Sequence, residues 1–303
     1  MAMAGQTARR DQMPRAIGLM VASTILFSFN NALIKWEVAF YPVGEVAFFR
    51  TAFGMLTLYV IILPRMGLAA FHTRRPGAHV KRAVSQFGSM TCFMFALQLM
   101  PLADVTAIGF TAPLFTTLLS IVILKDRVGI HRWGALIVGF LGVLLITHPG
   151  PGTLQIGVGF ALANALLIST VTIAIRQMRT TESTETLTLW QMTSITLFTA
   201  CLLPFGFAMP TWADLGLLAL AGFGNGTAQY MWTRALHLAP PSAITPFNYL
   251  SLIWAALLGF AMWGDVPTRD LIIGAVIVVA SSLYILWRET YWRRRIVADP
   301  PTP

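Results

Sequence analysis

Arg50, in the stretch "GEVAFFRTAFG", is the one formal charge set inside a long apolar segment of this chain. A guanidinium presents five donors in a planar fork and can hold a carboxylate through two hydrogen bonds. In a hydrocarbon setting such a charge is costly, and it marks a functional site by default. The structural reading is that Arg50 snorkels to headgroups or to Glu45, five positions earlier. Around it in the sequence stand amides in equally apolar surroundings: Asn31, Gln86, Asn225, Gln229 and Asn248. Each amide both donates and accepts, and alone it most often ties two helices together. Taken together with Phe110, Trp190 and Tyr249, they outline a polar, aromatic-faced cavity for an amphipathic organic cargo. Asn30, Asn164 and Gln191 are weighed the same way, as helix ties first. Pro113 ("GFTAPLF") and Pro246 ("AITPFNYL") interrupt two further apolar runs. A proline there frees a backbone carbonyl and opens a bend, so both are candidate hinges.

Other chemistries find no constellation. His72, His79, His131, His148 and His237 fall in connections or at the ends of apolar runs, without metal-ligand spacing. Cys92 and Cys201 sit inside apolar runs, so no disulfide is expected. The "PGPG" at 149–152 lacks the Lys-Ser/Thr of a phosphate loop. No His, Asp and Ser converge as a membrane enzyme would need. The expectation is therefore no catalysis, no cofactor and no metal. No Asp or Glu lies inside an apolar run; Glu45, Asp104, Glu185 and Asp214 stand at the edges. Were the chain a carrier, it would be gradient-driven, or coupled through an edge carboxylate.

The elements that position these residues follow from composition. Of 303 residues, 56% are hydrophobic and 11% charged, against about 25% charged in soluble domains, and mean hydropathy is +0.70. Apolar runs at 17–34, 46–63, 83–100, 105–124, 133–147, 156–175, 186–203, 215–233, 242–263 and 271–287 have the length of membrane helices. None alternates with the period of a barrel strand. The first lacks a cleavage site, and its Asn30 and Asn31 are followed by Lys35, so it reads as a membrane helix and not a signal peptide. With the N-terminus inside, 18 of the 21 basic residues fall on the cytoplasmic side. That asymmetry predicts both termini in the cytoplasm, with the connections near Pro76 and Arg127 inside and that near Gly152 outside. It also explains the net charge of +9 without any nucleic-acid partner. Six of nine Trp lie at the ends of runs, as an interfacial belt requires.

The halves repeat. "ALQLMP" at 96–101 returns as "ALHLAP" at 235–240, and the same offset pairs Gly18 with Gly157, Gln86 with Asn225 and Asp126 with Asp265. An offset one larger pairs Glu45 with Glu185 and Gly134 with Gly274. Five runs per half is an odd number, so the second half enters the membrane inverted. The expected fold is an all-α integral membrane protein of ten transmembrane helices in two inverted-topology repeats, 1–148 and 149–303, the second ending in a basic cytoplasmic tail.

These features resemble the EamA-type, ten-helix members of the drug/metabolite transporter superfamily. The resemblance rests on the 5+5 layout, on "FFR" at Arg50, and on the segment after each "ALxLxP" turn: small residues, a proline-interrupted run, an acid at Asp126 or Asp265, and a glycine-bearing run. Family members commonly carry Glu at the two acidic positions. The resemblance implies a secondary transporter of the inner membrane working by alternating access, with a small molecule and membrane lipid as partners. Aromatic amino-acid exporters resemble the chain most, so export of amino acids, aromatic ones first, is the expected activity. A carrier of a nucleoside, S-adenosylmethionine or a vitamin is the alternative, with a channel or membrane enzyme behind it. Cargo would sit between Phe110 and Asn248, with Pro113 and Pro246 each hinging one gate. The small residues Ala135, Gly139 and Gly142 predict a helix contact or a dimer face, hence a monomer or homodimer.

Overall fold

The computed structural model describes residues 2–125, 130–147, 153–178, 181–238 and 245–298. Asp126, Arg127, the 149–152 turn and Pro240 lie outside the described residues. Within them the chain forms eleven α-helices: α1 Ala2–Glu37, α2 Val43–Met66, α3 Pro76–Leu99, α4 Leu102–Gly109, α5 Ala112–Leu124, α6 Ile130–Thr147, α7 Thr153–Met178, α8 Thr184–Ala200, α9 Trp212–Leu238, α10 Leu250–Trp263 and α11 Arg269–Ala298. Among the described residues, four stretches are by length and hydropathy able to cross a membrane, in α1, in α2, across α4–α5, and in α7; α6 and α10 carry shorter apolar stretches. Side chains such as Val60, Val122, Ile137, Phe260 and Val276 are more than half exposed. A row of apolar side chains turned outward is what a hydrocarbon solvent requires and water does not tolerate.

The fourth apolar run is not one helix. α4 ends at Gly109, Phe110 and Thr111 interrupt it, and Pro113 occupies the first turn of α5. Proline has no N–H to return to the carbonyl one turn earlier, so the helical ladder lapses there. Neighbouring helices bond the backbone on both sides of the break: Ser169 of α7 donates to the Ala112 carbonyl at 2.8 Å, and Ser282 of α11 to that of Phe110 at 3.5 Å. The ninth run departs from the sequence reading in a similar way. Among its described residues it is a 3-10 turn over Thr245–Tyr249, which carries Pro246, and an α-helix from Leu250.

Packing is reciprocal between the two halves. α1 packs on α9 and α3 on α7; α2 packs on α8 and α6 on α11; α2 meets α9 as α3 meets α8. Each of these contacts either has a counterpart with the halves exchanged or is its own counterpart. Close approach between α6 and α11 depends on glycine: a Cβ on Gly142 would stand 3.0 Å from the Gly274 carbonyl, and one on Gly274 2.7 Å from that of Gly142. Gly139 faces Leu114 and Ser281, and Ala135 is buried beside Leu136 and Ile285. This small-residue face is thus a helix contact within the protomer, the first of the two readings of its spacing.

Candidate functional site

A cavity of about 200 Å³ opens between the first three helices of each half. α1 contributes Phe27; α2, Arg50 and Thr51; α3, Gln86, Ser89, Met90 and Phe93. The second half contributes Asn164 and Ile168 from α7, Gln191, Met192 and Ile195 from α8, and Asn225 and Gln229 from α9. Arg50 Nη2 donates to Asn225 Oδ1 at 3.1 Å, joining α2 to α9 across the site, while its Nε has no partner. Ser89 Oγ donates to Asn164 Oδ1 at 2.7 Å, joining α3 to α7. Thr51 bonds its own Ala47 carbonyl and meets Thr199 of α8 at 3.2 Å. The lining thus holds five amides, two hydroxyls, one guanidinium, two phenyl faces and two thioethers, and among the described residues no carboxylate.

The guanidinium reaches Asn225 because α2 and α9 touch backbone to backbone beneath it. A Cβ at Gly222 would meet the Phe53 Cβ at 2.4 Å and the Arg50 carbonyl at 2.9 Å; one at Gly226 would meet the Thr57 Cβ at 2.7 Å. Gly222→Ala is expected to push the two helices apart, costing about 1–3 kcal/mol of stability and separating Arg50 from Asn225. A melting midpoint equal to wild type would contradict that contact.

Of the sequence candidates, Arg50, Gln86, Asn225 and Gln229 meet in this cavity. Asn31 lies one turn beyond Phe27 on the same face of α1 and does not line it. Phe110, Asn248 and Tyr249 also lie outside the lining: the Phe110 and Tyr249 rings pack at 4.8 Å, and the Asn248 carbonyl accepts from Ser251 at 2.7 Å. Pro113 and Pro246 sit beside them at the two helix breaks. Trp190 is turned toward one end of the bundle, where its Nε1 donates to the Phe71 carbonyl at 3.0 Å and its ring lies 5.3 Å from His79. Thr51, Ser89, Phe27 and Phe93 are lining residues that the sequence did not single out. Hydroxyls and phenyls are too common in apolar helices to signal a site.

Each end of the bundle carries a polar cluster. At the Trp190 end, Glu182 accepts from the Thr73 hydroxyl at 2.9 Å and the Arg74 amide at 3.0 Å, and lies 3.9 Å from His79 Nε2. Buried Arg82 donates to the Leu187 carbonyl. Burial pushes the Glu182 carboxyl up, but those two hydrogen bonds and His79 outweigh it and hold it below its ordinary 4.5. Burial and the Arg82 charge hold His79 below 6.5 against the pull of Glu182. Both groups bind a proton less readily when folded, so their stabilisation is present above the ordinary values and lost as pH falls through the folded ones. The melting midpoint is expected to be flat above about pH 6.5 and to fall on acidification, with the lower step absent in Glu182→Gln. A midpoint that rises on acidification would overturn this. At the opposite end, the Thr211 and Tyr41 hydroxyls donate to Asp214, each at 2.6 Å, and hold it below its ordinary range.

A model of the EamA-like transporter family matches residues 14–148 and again 155–287. The chain is 32% identical over 284 residues to a riboflavin transporter of Rhizobium johnstonii, covering 91% of this chain and 92% of that protein. It is 24% identical over 273 residues to an S-adenosylmethionine uptake transporter of Rickettsia bellii, with 90% and 94% covered. It is 26% identical over 275 residues to the pseudopaline exporter CntI of Pseudomonas aeruginosa, with 90% and 96% covered. A solved crystal structure shares its fold, with a TM-score of 0.64 at 19% identity, over 93% of this chain and 99% of that one.

Proposed function

The chain belongs to the EamA-like transporter family, and from that premise we propose that its cavity carries a neutral, planar heterocycle of the flavin class across the membrane. The observation that carries this reading is the lining: five amides and two phenyl faces around one cation, with no carboxylate. Amides match the alternating donors and acceptors of a flavin's pyrimidinedione edge, and the phenyl faces stack on its rings. A zwitterionic amino acid would find Arg50 for its carboxylate and no anion for its ammonium, an unpaired charge that a desolvated site penalises. That argues against the amino-acid cargo expected from the sequence. The relative named a riboflavin transporter, matched over nearly its whole length, supports the same class. At about 200 Å³ the cavity is smaller than the roughly 300–1,000 Å³ of pockets that engulf a drug-sized ligand. Uptake of a whole vitamin therefore requires the helices to part.

Parting is supplied by alternating access of two inverted five-helix halves in the inner membrane, a reading supported by the reciprocal packing and the twice-matched family model. Both termini are placed in the cytoplasm on the basic-residue asymmetry. A cysteine at position 77 should then react with a membrane-impermeant reagent only from the inside; reaction from outside would reverse the orientation.

The test of cargo is counterflow. Proteoliposomes preloaded with unlabelled riboflavin are expected to take up labelled riboflavin, with lumiflavin competing and phenylalanine not. Competition by phenylalanine without competition by lumiflavin would overturn the flavin reading and restore the amino-acid one.

A further inference from the structure

Asn30 is an amide that the bundle leaves unsatisfied. It stands on α1 at 1% exposure, and neither its Nδ2 nor its Oδ1 has a hydrogen-bond partner. Among the described residues no other Asn or Gln has both side-chain groups buried and unpaired. Asn164 and Asn225 are each held by a neighbour, Ser89 and Arg50 respectively. Two donors and an acceptor withdrawn from water without replacement are destabilising, and a leucine of similar size would be free of that penalty.

The packing of α1 on α9 explains why no partner is offered. Ala16 clusters with Ala235 near one end of the pair, and Glu37 feels the charge of Asp214 near the other. Both helices advance twenty-one positions between these contacts, so one antiparallel register holds along the seam. It sets Asn30 at the level of Ala221, a buried methyl that neither donates nor accepts. Asn225 on the cavity wall is one turn nearer the inner end than Ala221. Phe27, also on that wall, is about 4.5 Å from Asn30 along α1 in the same direction. The seam between Asn30 and Ala221 is therefore the next layer beyond the cavity. Parting α1 from α9 extends the cavity along this seam and brings Asn30 into it.

We propose that Asn30 binds cargo in that parted state, taking the hydroxylated side chain of a flavin whose rings lie against Phe27 and Phe93. The inference rests on the flavin reading and deepens it, by assigning the part of the vitamin that distinguishes it from its bare ring system. Arg50, Gln86, Asn225 and Gln229 surround the ring edge in the cavity. A polyol chain calls for groups that donate and accept at once, and the Asn30 amide has both to offer. Cargo gives this amide the partners that the closed bundle denies it. A site built to hydrogen-bond hydroxyls discriminates against an analogue without them, because its buried polar groups are then left unpaired.

The test compares riboflavin with lumiflavin, which has the same rings and a methyl group in place of the ribityl chain, by fluorescence titration of the purified protein. Wild type is expected to bind riboflavin more tightly than lumiflavin. Asn30→Leu should weaken riboflavin about 10-fold, the effect of losing two neutral hydrogen bonds. It should leave lumiflavin affinity unchanged and raise the melting midpoint. Asn30→Gln, which keeps an amide, should retain part of the preference for riboflavin. A lower midpoint in Asn30→Leu with both flavins weakened alike would make Asn30 a structural tie. A preference for riboflavin undiminished in Asn30→Leu would overturn the assignment too, and either result leaves the flavin reading standing. Failure of wild type to bind either flavin would sink that reading and this assignment together.

Discussion

Arg50→Ala is expected to weaken riboflavin binding about 10–150-fold, the effect of losing one charge-assisted hydrogen bond of about 1.5–3 kcal/mol. The guanidinium holds Asn225 Oδ1 at 3.1 Å and keeps an unpartnered Nε in the same site. It is thus able to offer donors to cargo while orienting the amide opposite. Arg50→Lys keeps the charge and loses the fork, so it should fall between wild type and alanine. Titration of the purified variants, with melting midpoints as a check on folding, measures this. Wild-type affinity in Arg50→Ala would make the residue a helix tie alone.

Pro113→Ala and Pro246→Ala are expected to slow transport roughly 10-fold each, equivalent to about 1.4 kcal/mol on the exchange barrier, while leaving binding near wild type. An N–H restored at 113 can bond the Gly109 carbonyl and fuse α4 with α5 into one rod. At 246 it stiffens the 3-10 entry to α10. These two breaks touch through the Phe110–Tyr249 ring pair and lie outside the cavity lining, so they act on the opening of the halves and not on contacts to cargo. The binding control is Asn225→Ala, because the structure puts Asn225 in the lining and Asn248 outside it. Unchanged rates, or binding lost as fully as in Asn225→Ala, would make these prolines structural kinks.

The features legible in the sequence were periodic or charged. Run length placed the helices, and the repeat offset paired Gln86 with Asn225, which meet across the cavity. Contact between distant segments stayed concealed. Hydropathy reads 105–124 as one span because an interrupted hydrogen-bond ladder leaves no trace in side-chain polarity; only Pro113 hinted at it. Trp190 has the right ring for a cavity, yet the Phe71 carbonyl, 119 positions away, claims its donor. Asn164 and Gln191 read as helix ties from sequence and line the cavity, Asn164 also tying α7 to α3 through its bond to Ser89. Lys35 ends the first apolar run at 34, so Glu37 falls outside it by sequence, whereas α1 continues through it and buries it.

Binding of a flavin-class heterocycle among Arg50, Gln86, Asn225 and Gln229 is read most directly by fluorescence titration of riboflavin with the purified protein, repeated on Asn225→Ala and Trp190→Phe. Saturable quenching by wild type is expected, with much weaker binding to Asn225→Ala and wild-type affinity in Trp190→Phe. Absence of saturable quenching, or affinity lost in Trp190→Phe and kept in Asn225→Ala, would refute a flavin site at this cavity.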